Sequence, residues 1–164
     1  MSSHNHTRKC EWKVPQVVNI NNHTAKALVL SCIDYRLIDD TIQFLESECF
    51  AQSFDFTTLA GASLGFNQNK YLCWKEMFLQ HIDLAIELHK IKNIIVIDHM
   101  DCGAYKQFYP CMQSNSEEER LLHIKNIRKF VCKLRCIHPK LKYHGYIIDL
   151  KGNVEEVCLA KGKH

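Results

Sequence analysis

Two short stretches carry side chains able to share one metal ion. The first is Ser31-Cys32-Ile33-Asp34-Tyr35-Arg36 and the second is Asp98-His99-Met100-Asp101-Cys102-Gly103. His99 and Cys102 are separated by two residues, which lets both side chains converge on one ion, and Cys32 brings a second sulfur from elsewhere in the chain. Zinc favours such a mixture of two thiolates and one imidazole, and three protein ligands leave its fourth position open, which separates catalytic from structural zinc. Any one of these residues alone reads as an ordinary buried thiol or core histidine. All three at strand ends, beside an acid and a base, read as a site. On an extended segment Asp34 and Arg36 point the same way as Cys32. A guanidinium holds a carboxylate by two parallel hydrogen bonds. Asp34, so fixed, can accept a hydrogen bond from a metal-bound hydroxide or bind the metal itself.

The elements that must position these residues are legible as alternating strands and helices. Ala27-Leu28-Val29-Leu30 is an apolar run without polar alternation, as expected of a strand covered on both faces, and it ends at Ser31-Cys32. A helix is expected over Asp39 to Glu48, with Ile38, Ile42, Leu45 and Cys49 on one face. Phe54 to Leu59 reads as a strand that runs into Ala60-Gly61-Ala62-Ser63-Leu64-Gly65. A long helix follows, about Asn67 to Lys90, with Tyr71, Trp74, Phe78, Ile82, Ala85 and Leu88 as its buried stripe. Ile94-Ile95-Val96-Ile97 is a third strand and ends at Asp98-His99. Ser116 is an N-cap with Glu119 three residues later, as in a capping box. That helix runs to about Cys136 with Leu121, Ile124, Ile127, Val131 and Leu134 on one face, and Pro139 stops it. Tyr143 to Leu150 and Val154 to Leu159 form a closing hairpin at a sheet edge. The expected fold is therefore α/β: a mostly parallel central sheet of about four strands flanked by helices, with an antiparallel edge strand at the C-terminus. Such sheets place ligands beyond the carboxyl ends of their strands, where 32–37, 60–65 and 98–105 lie.

Composition narrows the function classes. The chain has 164 residues, 46% hydrophobic and 24% charged, with a net charge of +3. That length makes one domain, taken as residues 27–164, preceded by a polar arm at 1–26 that is loose or packs on a partner subunit through Trp12, Val14, Val17, Val18 and Ile20. The small positive excess argues against a nucleic-acid partner, and no apolar run reaches the length of a membrane span. Nine cysteines without a secretory signal read as reduced thiols, some of them metal ligands, in a cytoplasmic protein, the host cytoplasm included if the source is a virus or pathogen.

Cys-x-Asp-x-Arg followed by His-x-x-Cys-Gly resembles the β-class carbonic anhydrases, over about Ala25 to Leu159. The resemblance implies one zinc ion per chain held by Cys32, His99 and Cys102, with Asp34 and Arg36 as a catalytic dyad. It implies reversible hydration of carbon dioxide to bicarbonate by a zinc-bound hydroxide, and a homodimer or higher even oligomer. It also implies a resting state in which Asp34 is the fourth metal ligand until Arg36 captures it. Gly61, Ala62, Tyr35 and Gly103 are expected to border the substrate, and His81, His89, Tyr35 and Tyr105 are candidates for exporting the proton. Two positions differ from the family's usual residues: Tyr35 stands where Ser is usual, and Asp98 where Gly is usual.

Other chemistries fit the same residues less well. Three residues separate Cys32 from Arg36, too few for a phosphate-cradling cysteine loop, and no Cys-x-x-Cys pair supports thiol redox chemistry. Cys132 and Cys136 with His138, and His4, His6 and Cys10 in the arm, are further metal-ligand types whose blander reading is packing thiols and a frayed terminus. The alternatives with weight are hydrolysis of carbonyl sulfide or carbon disulfide on the same scaffold, and a non-catalytic protein that binds zinc or senses bicarbonate. Asp34 and Arg36 argue against the latter, because a structural site needs neither.

Overall fold

Alternating apolar and mixed segments assemble into one five-stranded sheet in the computed structural model, which describes residues 23–50 and 53–159. The strands are β1 (Ala27–Ser31), β2 (Phe54–Thr58), β3 (Asn93–His99), β4 (Lys142–Ile148) and β5 (Val154–Glu156). They lie in the order β2-β1-β3-β4-β5. The first four are mutually parallel, and β5 pairs antiparallel with β4. This is the α/β architecture expected from the sequence. The helices are α1 (Ile38–Leu45), α2 (Ser63–Asn67), α3 (Leu72–His89), α4 (Gly103–Phe108) and α5 (Glu117–Ile137). None is long and apolar enough to cross a membrane.

The period of two in each strand divides the core between the faces of the sheet. Leu28 and Leu30 of β1, with Ile94 and Val96 of β3, pack against Phe66, Phe78, Ile82, Ile127 and Phe130 of α2, α3 and α5. Ala27, Val29, Ile95 and Ile97 face the other way, onto Leu37 and Leu45. Both faces of β1 and β3 are thus buried, so their sequences are continuous apolar runs.

Three segments differ from the sequence-based expectation. The long helix begins later and is preceded by a separate short one. Gln68 interrupts them: its side-chain amide donates to the carbonyls of Gly65 and Tyr71 and accepts from the Tyr71 N–H, which closes a turn. At the far end of α3, Leu88 is 52% exposed and lines an open groove against β2, because β2 is an edge strand with no further strand beside it among the described residues. On α5, Leu121 is 55% exposed, and the buried stripe starts instead with Glu119, His123 and Asn126 before turning apolar at Ile127, Phe130, Val131 and Leu134. The closing strand β5 is also shorter than expected. Residues 1–22 of the expected arm, including His4, His6, Cys10 and its apolar residues, and residues 160–164 lie outside the described residues.

Gly65 fixes how closely α2 approaches the preceding loop. A Cβ there would lie 2.7 Å from the Ala60 carbonyl oxygen and 3.0 Å from Leu59 Cβ, with backbone as the immovable neighbour. Gly65→Ala is expected to destabilise the protein by about 1–3 kcal/mol, the usual cost of overpacking. Urea unfolding checks this, and an unchanged midpoint contradicts the packing described.

Candidate metal centre

Because β1, β2, β3 and β4 are parallel, their carboxyl ends share one edge. β2 lies to one side of β1 and β3 to the other, so the connections diverge there and leave a crevice between β1 and β3. Cys32 follows the end of β1 and His99 is the last residue of β3. Asp101, at φ +58°, reverses the chain so that Cys102 returns to His99. The three ligating atoms of Cys32, His99 and Cys102 lie within 4.8 Å of one another. The two sulfurs are 3.9 Å apart. From the other side the loop after β2 brings Gly61, whose N–H donates to Cys32 Sγ at 3.3 Å. That loop holds Ala62 at φ +40°, a conformation that non-glycine residues rarely adopt and that surrounding structure must enforce.

The donor set fits a zinc ion. His99 Nδ1 lies 2.9 Å from the Met100 carbonyl and so carries the ring proton as donor. Its Nε2 is buried, faces the sulfurs, and has no hydrogen-bond partner. A buried nitrogen without a partner is uncommon, and a backbone carbonyl on the opposite ring nitrogen is the usual support of a metal-ligating imidazole. Contact with the Cys102 sulfur draws the Cys32 pKa down to about 4 against the opposing effect of burial. The same contact and burial push Cys102 upward. Two sulfurs and a bare imidazole nitrogen at this separation are a soft, cation-seeking set.

Asp34 and Arg36 stand at the mouth of this cluster, though not on an extended segment. Asp34 N-caps a 3-10 turn over Tyr35–Leu37, and its Oδ1 accepts the Arg36 backbone N–H at 3.1 Å. The turn brings the side chains together: Arg36 Nε donates to Asp34 Oδ1 at 3.0 Å and a terminal nitrogen donates to Oδ2 at 2.8 Å. These bonds hold the Asp34 carboxyl at about 2, against burial. Asp34 Oδ2 is 3.7 Å from His99 Nε2, beside the three donors. Arg36 is held independently by Asp101, through its carboxylate at 3.0 Å and its carbonyl at 3.2 Å.

A cavity of about 190 Å³ opens on the Cys32 and Asp34 side, lined also by Leu37, Ile38, Phe56 and Thr58 but by neither His99 nor Cys102. None of Gly61, Ala62, Tyr35 and Gly103 is among its lining residues. Gly61 and Ala62 are buried on the Cys32 side, Gly103 is exposed, and Tyr35 is 82% exposed. Of the candidate proton carriers, Tyr105 is wholly buried, His81 is exposed, and His89 pairs with Asp55 at 2.8 Å. Cys132 and Cys136 are exposed, and among the described residues no metal-ligand group other than Cys32, His99 and Cys102 forms.

Residues 22–158 match the sequence profile of a family described as "Putative carbonic anhydrase". The chain belongs to this family. It is similar to uncharacterised proteins of Rickettsia conorii, 34% identical over 151 residues with 88% of this chain and 81% of that one covered, and of Rickettsia bellii, 34% identical over 134 residues with 81% and 82% covered. Among solved structures it resembles a tetrameric β-carbonic anhydrase of Sordaria macrospora, at 14% identity and a TM-score of 0.59 over 87% of this chain and 85% of that one. It also resembles β-carbonic anhydrase isoform I of Trichomonas vaginalis, at 18% identity and a TM-score of 0.56 over 90% of each chain. The fold is that of the β-carbonic anhydrases, in a divergent member.

In this carbonic anhydrase family member the residue before His99 is the centre of a buried network. Asp98 accepts from Ser63 N–H (3.0 Å), Ser63 Oγ (2.6 Å), Tyr105 Oη (2.8 Å) and His123 Nδ1 (3.0 Å). From the sequence Asp98 is only an unusual residue, and Glu119 belongs to a capping box. Half of that box exists, since Ser116 Oγ accepts the Glu119 N–H at 3.2 Å. The Glu119 carboxylate, however, turns to the backbone N–H groups of Asp101, Cys102 and Asn115. Burial disfavours its charge, but His123 and those N–H groups outweigh it and lower its pKa to about 2. The available signal was the polar trio Glu119, His123 and Asn126 at helical spacing, continuing the apolar stripe of α5.

Zinc titration with chelator competition is expected to give one tight site per chain. Cys32→Ala and His99→Ala should each lose more affinity than the roughly 10–100-fold typical of removing a ligand's supporting hydrogen bond. Cys158→Ala should match the wild type, because Cys158 is exposed and outside the cluster. Equal affinity across all three variants contradicts the assignment.

Proposed function

We propose that the chain is a zinc-dependent carbonic anhydrase that reversibly hydrates carbon dioxide to bicarbonate, with Cys32, His99 and Cys102 as metal ligands. The observation that carries this reading is the Asp34–Arg36 pair set 3.7 Å from His99 Nε2 at the mouth of the cluster. A site that served folding alone would close its fourth position and would have no use for an ionised carboxylate aimed at it. Bound zinc supplies a Lewis acid that brings the pKa of coordinated water to about 7.

The chain's own groups do the rest. Arg36 keeps Asp34 ionised and aligned through three hydrogen bonds, one of them from its backbone N–H. Asp34, acceptor-only in that state, takes a hydrogen bond from the nucleophilic oxygen and so aims a lone pair at the substrate carbon. The closed resting state that the resemblance implies would turn Asp34 to the metal; in this structure its carboxylate is bonded to Arg36. The cavity of about 190 Å³ is smaller than the roughly 300–1,000 Å³ of drug-sized pockets. Leu37, Ile38 and Phe56 give it apolar walls suited to a small uncharged molecule. Gly61, Ala62, Tyr35 and Gly103 are proposed to border the approach to the metal rather than the cavity wall. A homodimer or higher even oligomer is proposed as well: among the described residues β2 is an edge strand with Phe56 exposed, and the Sordaria macrospora protein is described as tetrameric.

Stopped-flow measurement of carbon dioxide hydration on zinc-loaded protein tests the reading. The wild type is expected to accelerate hydration, and Asp34→Asn to retain its zinc while losing about 10²–10⁴-fold in turnover, the usual contribution of a positioned proton acceptor. Zinc-loaded wild type with no hydration activity contradicts the function. Full activity in Asp34→Asn removes Asp34 from the mechanism.

A further inference from the structure

Behind the cluster, α5 makes a buried polar contact with both ends of the segment that carries His99 and Cys102. Glu119 and His123 lie four residues apart, so both point to the same side of the helix. Both are wholly buried. Glu119 Oε1 accepts the Cys102 N–H at 3.1 Å. Its Oε2 accepts the Asp101 N–H at 3.1 Å and the Asn115 N–H at 2.6 Å. His123 Nδ1 meets Asp98 Oδ2 at 3.0 Å, and its Nε2 faces Glu119 Oε1 at 3.7 Å.

We propose that Glu119 and His123 are positioning residues that set the metal ligands in place from α5, an inference that rests on the metal-binding reading above. Asp101 adopts a left-handed conformation, disfavoured for a residue with a Cβ, and that turn sends Cys102 back toward His99. Glu119 binds the N–H groups on either side of Asp101, its own and that of Cys102, and holds the turn closed. At the other end of the segment, His123 and Tyr105 fix Asp98, the residue before His99. Asp98 also takes both hydrogen bonds of Ser63, two residues after Gly61, the donor to Cys32. One network therefore reaches the backbone beside His99 and at Cys102, and the loop it holds at Ser63 presents the Gly61 N–H to the Cys32 sulfur. Burying a carboxylate and an imidazole is costly, the more so here because His123 Nε2 has no hydrogen-bond partner, and an apolar stripe would have packed α5 more simply. What the polar stripe adds is a fixed ligand geometry before the ion arrives. A glutamine at 119 keeps the shape but has one acceptor oxygen for three N–H donors, and its amide turns a donor toward them.

The test compares wild type and Glu119→Gln in three measurements: zinc affinity by chelator competition, the visible absorption of the cobalt-substituted protein, and the unfolding midpoint of metal-free protein. Glu119→Gln is expected to bind zinc about 10–100-fold more weakly, with shifted cobalt bands. Cobalt bands report ligand geometry, which a purely structural role leaves unmoved once the protein is folded. Wild-type affinity and cobalt bands in Glu119→Gln, whatever its midpoint, overturn the proposal. If Glu119→Gln does not fold, His123→Gln is read in its place, since it leaves all three Glu119 bonds available: weaker zinc binding with shifted bands supports the proposal, and unchanged values overturn it. Wild type that binds neither metal overturns the metal-site reading itself, whereas full binding by wild type and variant alike overturns only the positioning role.

Discussion

A buried imidazole nitrogen with a free lone pair, facing two sulfurs, is the constraint from which the rest of this structure follows. Burial removes the water that would otherwise bond to His99 Nε2, and the Met100 carbonyl holds the Nδ1–H on the opposite side. With the two sulfurs 3.9 Å apart, their contact eases loss of a first proton from the pair and opposes loss of the second. Such a set is stable together when a cation stands among its members, and costly otherwise. The strand order serves this convergence. β1 and β3 are neighbours at the point where the connections part, so a residue just past one strand and a residue at the end of the other meet at the bottom of a crevice.

Around that core the charges are layered. Arg36 is gripped from two directions, by Asp34 and by Asp101, and Lys106 in turn binds Asp101 at 2.5 Å. Asp101 therefore holds the guanidinium independently of Asp34. On the buried side, His123 lies between Asp98 and Glu119. Burial alone would keep its ring neutral, but the two carboxylates raise its pKa. The polar half of α5 and the apolar half thus do different work: Glu119 and His123 address the ligand loop, while Ile127, Phe130 and Leu134 cover the sheet.

Much of this was legible in the sequence, for identifiable reasons. β1 and β3 are buried on both faces, so their apolar runs announce them and place Cys32 and His99 at strand ends. The His-x-x-Cys spacing is local and needs no knowledge of packing. Ser116 caps α5 because capping is chemistry between residues three apart. What stayed hidden depended on contacts distant in sequence. Glu119 looks like half of a capping box until the loop at Asp101–Cys102 comes within reach. Leu121 fits an apolar helix face by spacing, yet it is exposed because the buried side of that turn belongs to polar residues. Asp34 looks extended until its own carboxylate captures the Arg36 N–H and turns the chain.

X-ray absorption at the zinc edge of metal-loaded protein tests the central claim most directly, since it counts the atoms bound to the ion. The account predicts two sulfurs at about 2.3 Å and one imidazole nitrogen at about 2.0–2.1 Å, completed by a single light atom. A shell of oxygen and nitrogen alone, or one of four sulfurs, would contradict it.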